Sequence, residues 1–269
     1  MPGKCCPGCE SSLVKASDQV SIHPLRDIPL VHPGDDLAGL IGAAISRANY
    51  TLCDGDVVVV AQKVVSKAEG RLVRLDDVQP SSKALRLAEK TGKDPRMVEL
   101  ILRESTDVIR TAPGVIIVRH RLGLVSANAG IDQSNIDHGK DEHALLLPLD
   151  PDQSARLLRD KLTQKTGKRL GVIISDSVNR PWRLGSVGIA IGCAGVTVLD
   201  DRRGRLDLFG RELKITLINH ADSIATTALL LMGETSEGVP AAVVSGFAAD
   251  DDEQSASDSI RPMEEDLFL

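Results

Sequence analysis

The stretch DGDVVVVAQKVVSKAEGR, residues 54–71, gives the clearest sign of how this chain folds. Residues Val57–Ala61 form a continuous apolar run rich in β-branched side chains, which is typical of a strand covered on both faces. The polar segment that follows carries Lys63, Ser66 and Lys67, whose ammonium and hydroxyl groups can bind phosphate oxygens. The G-x-x-x-x-G-K-[ST] pattern of a P-loop is absent from the chain, and a solvated basic turn is the alternative interpretation of this segment.

Outward from this stretch, short apolar runs alternate with helical patterns. Further strands are predicted at residues 114–119, 170–174, 187–191, 213–218 and 241–244. Helices are predicted from apolar stripes at residues 37–45, 94–108, 150–167 and 221–232. Asp94-Pro95 and Asp150-Pro151 each offer an N-cap followed by proline, and Gly167 is a predicted helix stop. The pattern predicts a mixed α/β or α+β chain, with the helix at residue 150 as a candidate lobe boundary.

Composition and charge exclude several classes of protein. Apolar residues make up 42% of the chain and charged residues 26%, as in globular domains. No apolar run reaches the roughly 18 residues of a membrane helix, and the N-terminal MPGKCCPGCESS has no signal-peptide core, so we expect a cytoplasmic protein. The net charge is −6, yet residues 250–269 hold eight acids and one arginine, which leaves a nearly neutral body. With only five aromatic residues as well, nucleic acid is not an expected partner.

Both termini are expected to lie outside the folded body. Cys5, Cys6 and Cys9 crowd residues 1–20, and Cys6-Pro-Gly-Cys9 has the spacing of a metal knuckle or a redox pair. No second ligand pair follows, so a flexible leader with reduced thiols is the expected form. Residues 249–269 are expected to form a solvated acidic tail, apart from the apolar residues at its end, which could dock.

Two polar segments that follow apolar runs contain candidate metal ligands. SANAGIDQSN, residues 126–135, presents Asp132 and Asn135, and ISDSVNRPWR, residues 174–183, presents Asp176 and Ser177. Open sheets bind ligands beyond the carboxyl ends of their strands, and carboxylate and hydroxyl oxygens suit Mg²⁺ or Mn²⁺. Such an ion would neutralise nucleotide phosphates during group transfer. The alternative is that each aspartate caps a turn.

A fourth segment, MGETSEGV at residues 232–239, is an acidic loop flanked by glycines. Gly233 and Gly238 allow the backbone to approach a nucleotide closely, and Glu234 is a further candidate metal ligand. A helix stop followed by a turn is the alternative. Competing chemistries lack their motifs, because the chain has no H-x-x-x-H pair and no G-x-S-x-G elbow.

Taken together, these four segments closely resemble the coenzyme F420-0:L-glutamate ligase family. The resemblance runs in unbroken order over roughly residues 22–247 and includes IPLVHPGDDL, NAGIDQSN, LLLPLDPDQSA, DLFGREL and GVPAAVVSGF. It implies an α+β fold of mixed sheets with packed helices and two lobes, which makes residues 21–248 the ligase domain. A second, flavin-binding reductase domain of the bacterial fusion members is not expected in a chain of this length.

The resemblance also implies site residues, carried over position by position. Asp132 and Asp176 would be metal ligands at the catalytic centre, with Ser177 and Glu234 helping to bind a second ion. The implied nucleotide-binding residues are Ile28, Pro29, Leu30, Val31, Gln62, Lys63, Lys67, Asn135, Met232, Gly233, Glu234, Thr235, Ser236, Glu237, Gly238 and Val239. Arg180, Arg183 and Arg211 are candidates for holding anionic substrates, with ion pairs as the alternative.

The implied activity is GTP-dependent ligation of L-glutamate to F420-0 in a homodimer, with two Mg²⁺ or Mn²⁺ ions and K⁺ as a further candidate. The terminal carboxylate of F420-0 would attack the γ-phosphate of GTP, and glutamate would then displace phosphate from the acyl phosphate. Neither step needs a protein nucleophile, whereas both need charge neutralisation and alignment. Two alternatives stay open: a related ligase acting on another acidic cofactor, and a non-catalytic GTP-binding regulatory protein.

Overall fold

The computed structural model describes residues 19–247 and 254–266. The Cys5, Cys6 and Cys9 cluster of the predicted leader lies outside these residues, as do residues 248–253 and 267–269 of the predicted tail. Within the described ranges the chain forms two compact units. The first contains residues 19–31, 35–65, 150–247 and 254–259, and the second contains residues 32–34, 66–149 and 260–266.

The described residues form six α-helices and twelve β-strands. The helices are α1 (Leu37–Arg47), α2 (Gln62–Ala68), α3 (Ser82–Thr91), α4 (Pro95–Arg103), α5 (Pro151–Thr166) and α6 (His220–Met232). The strands are β1 (Ser21–Leu25), β2 (Val57–Ala61), β3 (Leu72–Arg74), β4 (Ser105–Ala112), β5 (Val115–His120), β6 (Val125–Ala127), β7 (His143–Leu145), β8 (Gly171–Asn179), β9 (Ser186–Ala194), β10 (Leu199–Asp201), β11 (Leu217–Asn219) and β12 (Ala241–Ser245). The fold is mixed α+β, as predicted. Across the described residues no helix has the length and apolar character to cross a membrane.

A five-stranded sheet forms the centre of the first unit, in the order β1-β12-β2-β8-β9. Only the pair β2 and β8 is parallel, while the other neighbours are antiparallel. The apolar run Val57–Ala61 is β2 itself, and its four valines are fully buried because strands flank it on both sides and helices cover both faces. The sequence prediction for this strand is confirmed at both ends.

Helices cover both faces of this sheet. Along α6, Ala221, Ile224 and Ala228 face the sheet and pack with Val57 and Ile173 in one apolar cluster. Alternate strand residues point to the opposite face. There α5 lies so close that a Cβ on Gly192 of β9 would come within 2.2 Å of the Pro151 carbonyl oxygen, and α1 packs beside α5. Helix α5 begins and ends as predicted, with the Asp150 carboxylate capping it and Gly167 in the left-handed conformation after it.

The second unit packs α3 and α4 on a three-stranded antiparallel sheet, β4-β5-β6. Val98 and Ile101 of α4 are fully buried against Ile116 and Val118 of β5. A separate ribbon pairs β3 with β7. The core of the second unit therefore comes from the apolar stripe of α4 and one face of the three-stranded sheet.

Two element predictions assigned the wrong structure to part of their range. The helix that begins at Asp94 ends at Arg103, and Ser105 and Val108 belong to β4. The residues after Glu104 are largely β-branched and pair with β5, and this pairing overrides the helical spacing. The run at residues 213–218 is a strand only from Leu217, because residues 202–216 form an irregular exposed hairpin with no layer packed on it.

The described part of the C-terminal segment is docked. The Gln254 side-chain oxygen accepts hydrogen bonds from the backbone N–H groups of Val198 and Leu199 at 2.9 and 2.7 Å. In the first unit Asp152 accepts from the backbone N–H of Ala256, which is buried. In the second unit Ile260 lies against Gly123. The acidic stretch is therefore followed by an anchored segment.

Candidate functional site

In the first unit, the candidate residues gather where the parallel strands β2 and β8 end. Ala61, the last residue of β2, pairs with Ser175 of β8, so Gln62 at the start of α2 and Asp176 follow neighbouring positions at one sheet edge. Gln62 is buried, and Lys63 beside it is half-buried. The carboxyl ends of parallel strands are the usual ligand edge of an open sheet. The structure thus brings together two segments that are far apart in sequence.

Asp176 and Ser177 lie inside β8 rather than in a loop beyond it, which corrects the sequence interpretation. The strand continues to Asn179 as a two-stranded ribbon with β9, past the end of β2. Burial changes at the same point, since β8 is buried through Ser175 and Ser177 is exposed. The Asp176 carboxylate accepts a hydrogen bond from the Ser177 backbone N–H at 2.9 Å. Pairing with β9 therefore fixes the backbone of both residues.

The Met232–Val239 loop reaches the same ribbon. The Ser186 hydroxyl on β9 donates to Glu234 at 3.1 Å, and Ser186 pairs with Asn179, two residues beyond Ser177. Glu234 is therefore held beside the ribbon that carries Asp176 and Ser177. No sequence signal pairs Ser186 with Glu234, because they lie 48 residues apart on different elements.

Within this loop the residues have different accessibility. Met232 and Val239 are buried in the core, so only their backbone groups could contact a ligand. Residues 234–238 are exposed. Glu237 folds back over Gly233 and accepts from the backbone N–H of Thr235 at 2.8 Å, and these backbone hydrogen bonds lower the pKa of its carboxyl. Ser236 and Gly238 lie on the open side of the loop.

The close approach of α6 to the ribbon depends on Gly188. This residue pairs with Ser177, and a Cβ on it would lie 2.8 Å from the backbone oxygen of Ala225 in α6. The Thr226 hydroxyl also donates to the Gly188 carbonyl at 2.7 Å. Only a glycine lets the helix backbone contact the strand here, and α6 leads directly into the Glu234 loop.

Residues 28–31 and the candidate arginines are more open. Leu30 is 80% exposed and Pro29 is exposed, whereas Ile28 is half-buried and Val31 is buried. A ligand could therefore reach Pro29 and Leu30 but not the Val31 side chain. Arg180 is half-buried, and Arg183 and Arg211 are exposed.

Asp132 belongs to the second unit. Its backbone N–H and carbonyl pair with Leu145 at 3.1 and 2.8 Å. Its carboxylate accepts from the backbone N–H and the hydroxyl of Ser134, at 2.7 and 3.0 Å. Each carboxylate oxygen can accept further bonds, since an ionised carboxylate offers about four acceptor positions.

Lys67 and Asn135 meet in the same unit. The Lys67 ammonium donates to the Asn135 backbone carbonyl at 2.7 Å, across 68 residues of sequence. Asn135 has a φ of +54°, a left-handed conformation that asparagine tolerates better than most residues. Ser66, another candidate phosphate ligand, is fully buried beside Lys67, so its hydroxyl is not open to a ligand.

The candidate residues are thus shared between the two units. Asp176, Ser177, Gln62, Lys63 and Glu234 belong to the first, while Asp132, Asn135 and Lys67 belong to the second. The chain passes from one unit to the other inside α2, between Val65 and Ser66.

The predicted metal ligands fit a hard divalent cation. Asp132, Asp176, Ser177 and Glu234 all present oxygen donors, which Mg²⁺ and Mn²⁺ prefer. In residues 19–247 and 254–266, no group of three or more His, Cys, Asp or Glu side chains forms a preassembled metal site. Mg²⁺ in proteins is usually bound by one or two carboxylates together with water and substrate phosphates.

Comparisons with known proteins agree on one family of ligases. The family model described as F420-0:Gamma-glutamyl ligase matches residues 26–246. The chain is 50% identical to the coenzyme F420:L-glutamate ligase of Methanopyrus kandleri over 83% of its own length and 86% of the relative's. It is 46% identical to that of Methanothermobacter thermautotrophicus, over 85% and 89% of the two chains. With that of Methanocaldococcus jannaschii the identity is 42% over 95% and 99%.

A fold of two α+β units with candidate oxygen donors where strands end is compatible with an enzyme acting on a small anionic molecule, and this describes the class only broadly. The matched span, which includes all the candidate residues, is more specific. The chain belongs to the F420-0:gamma-glutamyl ligase family.

Proposed function

We propose that this protein joins L-glutamate to coenzyme F420-0 during the biosynthesis of coenzyme F420, with GTP as the phosphoryl donor. The observation that carries the proposal is the placement of Gln62, Asp176 and Ser177 at one sheet edge, inside the span matched by the family. The relatives' names give the acceptor and the amino acid. Lys63 next to this edge and Lys67 in the second unit support a nucleotide as co-substrate, because their ammonium groups can bind phosphate oxygens.

In the proposed reaction, a carboxylate oxygen of F420-0 forms a bond to the γ-phosphorus of GTP, and GDP leaves. The glutamate nitrogen then attacks the acyl carbon, loses a proton and expels inorganic phosphate. Lys63 and Lys67 supply positive charge to phosphate oxygens, and Asp132, Asp176, Ser177 and Glu234 are the ligands proposed for Mg²⁺ or Mn²⁺. The metal supplies charge neutralisation on those oxygens.

Mass spectrometry of the product tests the activity directly. F420-0 is incubated with the protein, L-glutamate, Mn²⁺ or Mg²⁺ and either GTP or ATP. We expect mass gains in glutamate units and release of GDP only with GTP. Gains with ATP alone would overturn the nucleotide assignment. No gain from folded protein that binds GTP would overturn the ligase proposal, and a screen of other acidic acceptors would then separate a related ligase from a non-catalytic binder.

The variant Asp176→Asn tests the proposed site. It keeps the size of the side chain but removes the charge that a divalent ion needs, so we expect glutamate addition to fall at least about 100-fold while the fold is kept. Asp160→Asn is the matched control, because Asp160 is exposed on α5 of the same unit and pairs with Arg159 at 2.9 Å. Equal activity in the two variants would remove Asp176 from the site.

We also propose that the protein is a homodimer. In the first unit, Leu208, Phe209 and Ile215 of the irregular hairpin are each at least 89% exposed, and in the turn between β8 and β9 Leu184 is fully exposed and Trp182 is 86% exposed. Exposed apolar side chains on this scale mark interaction surfaces. Sedimentation should give twice the 28.7 kDa chain mass, and Phe209→Asp should shift it towards the monomer. A monomer at micromolar wild-type concentration would contradict the proposal.

A further inference from the structure

The second unit contains an ion-pair network around the buried Glu104. The reaction proposed above assigns no role to this network. Glu104 lies at the end of α4 with its side chain only 12% exposed. Its Oε2 atom accepts from Arg71 at 2.9 Å and from Arg121 at 3.1 Å. His120, which is fully buried, places its Nε2 atom 3.5 Å from the same oxygen.

The orientation of His120 is set by its other ring nitrogen. The Nδ1 atom accepts a hydrogen bond from the Leu122 backbone N–H at 3.0 Å, so the proton of the neutral ring lies on Nε2. That proton faces Glu104, although 3.5 Å is long for a hydrogen bond. Two guanidinium groups thus donate to one carboxylate oxygen, with the His120 ring beside it, and Glu104 is the anion that compensates these half-buried cations.

Both guanidinium groups also hold one stretch of backbone. Arg71 donates to the Leu147 carbonyl at 2.9 Å. Arg121 donates to the Leu149 and Pro148 carbonyls at 2.6 and 3.2 Å. Three successive carbonyl groups, at residues 147–149, are therefore fixed by two side chains that depend on Glu104 for their charge balance.

This stretch continues directly from the backbone that holds Asp132. Leu145 forms both of its bridge hydrogen bonds with Asp132. Leu147 packs against Gly130, where an added Cβ would come within 3.0 Å of the Leu147 side chain. The loop that presents Asp132 therefore rests on residues 145–149, and those residues rest on the two arginines.

The network also contacts α2, the helix that carries Lys67. The Arg71 backbone N–H donates to the Ser66 carbonyl at 2.9 Å, and its carbonyl accepts from Leu146 at 3.2 Å. Arg71 therefore ties the end of α2, which carries Lys67, to the strand segment that supports Asp132.

From these contacts we infer that Glu104 is a positioning residue for Asp132: through Arg71 and Arg121 it fixes the 145–149 segment on which the Asp132 carboxylate is presented. The inference rests on the proposed role of Asp132 as a metal ligand. Residues that orient a metal ligand typically change metal affinity about 10–100-fold when they are removed. The network accordingly acts on metal affinity as well as on folding stability.

Titration of the full-length protein with Mn²⁺, followed by the electron paramagnetic resonance signal of free Mn²⁺, tests this without an activity assay. We expect Glu104→Gln to raise the Kd for Mn²⁺ about 10-fold. Glu99→Gln is the matched control on the same helix: Glu99 binds Arg103 at 3.0 Å and the Ser81 backbone N–H, outside the network. It should leave the Kd unchanged, and Glu104→Asp should restore part of the lost affinity.

The variant Asp132→Asn separates this inference from the proposal on which it rests. If Asp132→Asn leaves the Kd unchanged, the ligand role of Asp132 falls, and the positioning role of Glu104 falls with it. If Asp132→Asn weakens binding but Glu104→Gln does not, only the positioning role is overturned. In the double variant we expect the Kd of Asp132→Asn alone, since Glu104 acts through Asp132. Additive losses would also overturn the inference.

Circular dichroism and thermal melting establish that each variant is folded at the temperature of the titration. Should Glu104→Gln fail to fold, Arg121→Gln tests the same connection. It removes the contacts to residues 148 and 149 but keeps the pair between Arg71 and Glu104. The same 10-fold increase in Kd is expected of it, and a wild-type Kd would overturn the inference.

Discussion

The Glu104 network makes a quantitative prediction about stability and pH. Burial alone would raise the pKa of the Glu104 carboxyl, but the neighbouring His120 and the charges of Arg71 and Arg121 lower it to about 2. Against the ordinary value of 4.5, this is a difference of about 2.5 pH units. At 1.36 kcal/mol per unit, the ionised carboxylate contributes about 3 kcal/mol to folding at neutral pH.

The direction in which stability changes with pH follows from the lowered pKa of Glu104 in the folded state. The contribution is fully present above the unfolded pKa of 4.5 and is lost as the pH falls towards the folded value of about 2. The same linkage leaves about 1 kcal/mol at pH 3. The difference in unfolding free energy between wild type and Glu104→Gln should therefore shrink by about 2 kcal/mol between pH 6.5 and pH 3.

Urea denaturation at pH 6.5, 5, 4 and 3 measures this difference. Glu89→Gln, which changes an exposed glutamate on α3, is the control, and its difference from wild type should stay within about 0.5 kcal/mol at every pH. A difference for Glu104→Gln that is constant over the range would refute the reasoning. It would mean that the arginines stabilise the protein through their backbone contacts alone.

Three further outcomes are expected from changes elsewhere. Gly188→Ala should destabilise the protein by about 1–3 kcal/mol in urea, because its Cβ would lie 2.8 Å from the α6 backbone; wild-type stability would contradict the close packing. Asp150→Ala should cost about 1 kcal/mol by removing the 2.9 Å cap to the Gln153 backbone N–H, whereas Asp150→Asn should cost less than half of that. Lys67→Met should raise the KM for GTP about 10-fold with little change in kcat, measured by GDP release, and an unchanged KM would remove Lys67 from the nucleotide site.

The sequence predicted the fold best where local and long-range signals agree. Val57–Ala61 reads as a buried strand and is one, because strands and helices enclose it on every side. Helix α5 was predicted to the residue, since Asp150, Pro151 and Gly167 act through contacts within a few residues of each other. Helix α4 was predicted too long because the pairing of β4 with β5, which local periodicity does not report, ended it at Arg103.

The candidate site was predictable in its residue types but not in its supports. Asp176, Ser177 and Asp132 stand out as oxygen donors next to apolar runs. The contact of Ser186 with Glu234 joins residues 48 apart, and the pair of Arg71 with Glu104 joins residues 33 apart. No spacing in the sequence predicts either pair, because tertiary packing alone brings the partners together.

The two predicted metal-binding aspartates are held by different physical means, and this has consequences for how each unit responds to change. Asp176 is fixed by the register of β8 with β9, and the close contact at Gly188 sets the approach of α6 to that ribbon. Such packing is insensitive to charge but sensitive to a single added methyl group.

Asp132 is instead fixed by two backbone hydrogen bonds to Leu145 and, through residues 147–149, by two arginines balanced on Glu104. A network of this kind tolerates modest changes of volume but not the loss of the carboxylate charge, because two half-buried guanidinium groups then lose their counter-ion. Added volume at Gly188 and a removed charge at Glu104 should therefore impair metal binding through different units. The effect at Glu104 should depend on pH, since the charge of its carboxylate is lost as the pH falls towards the folded pKa of about 2.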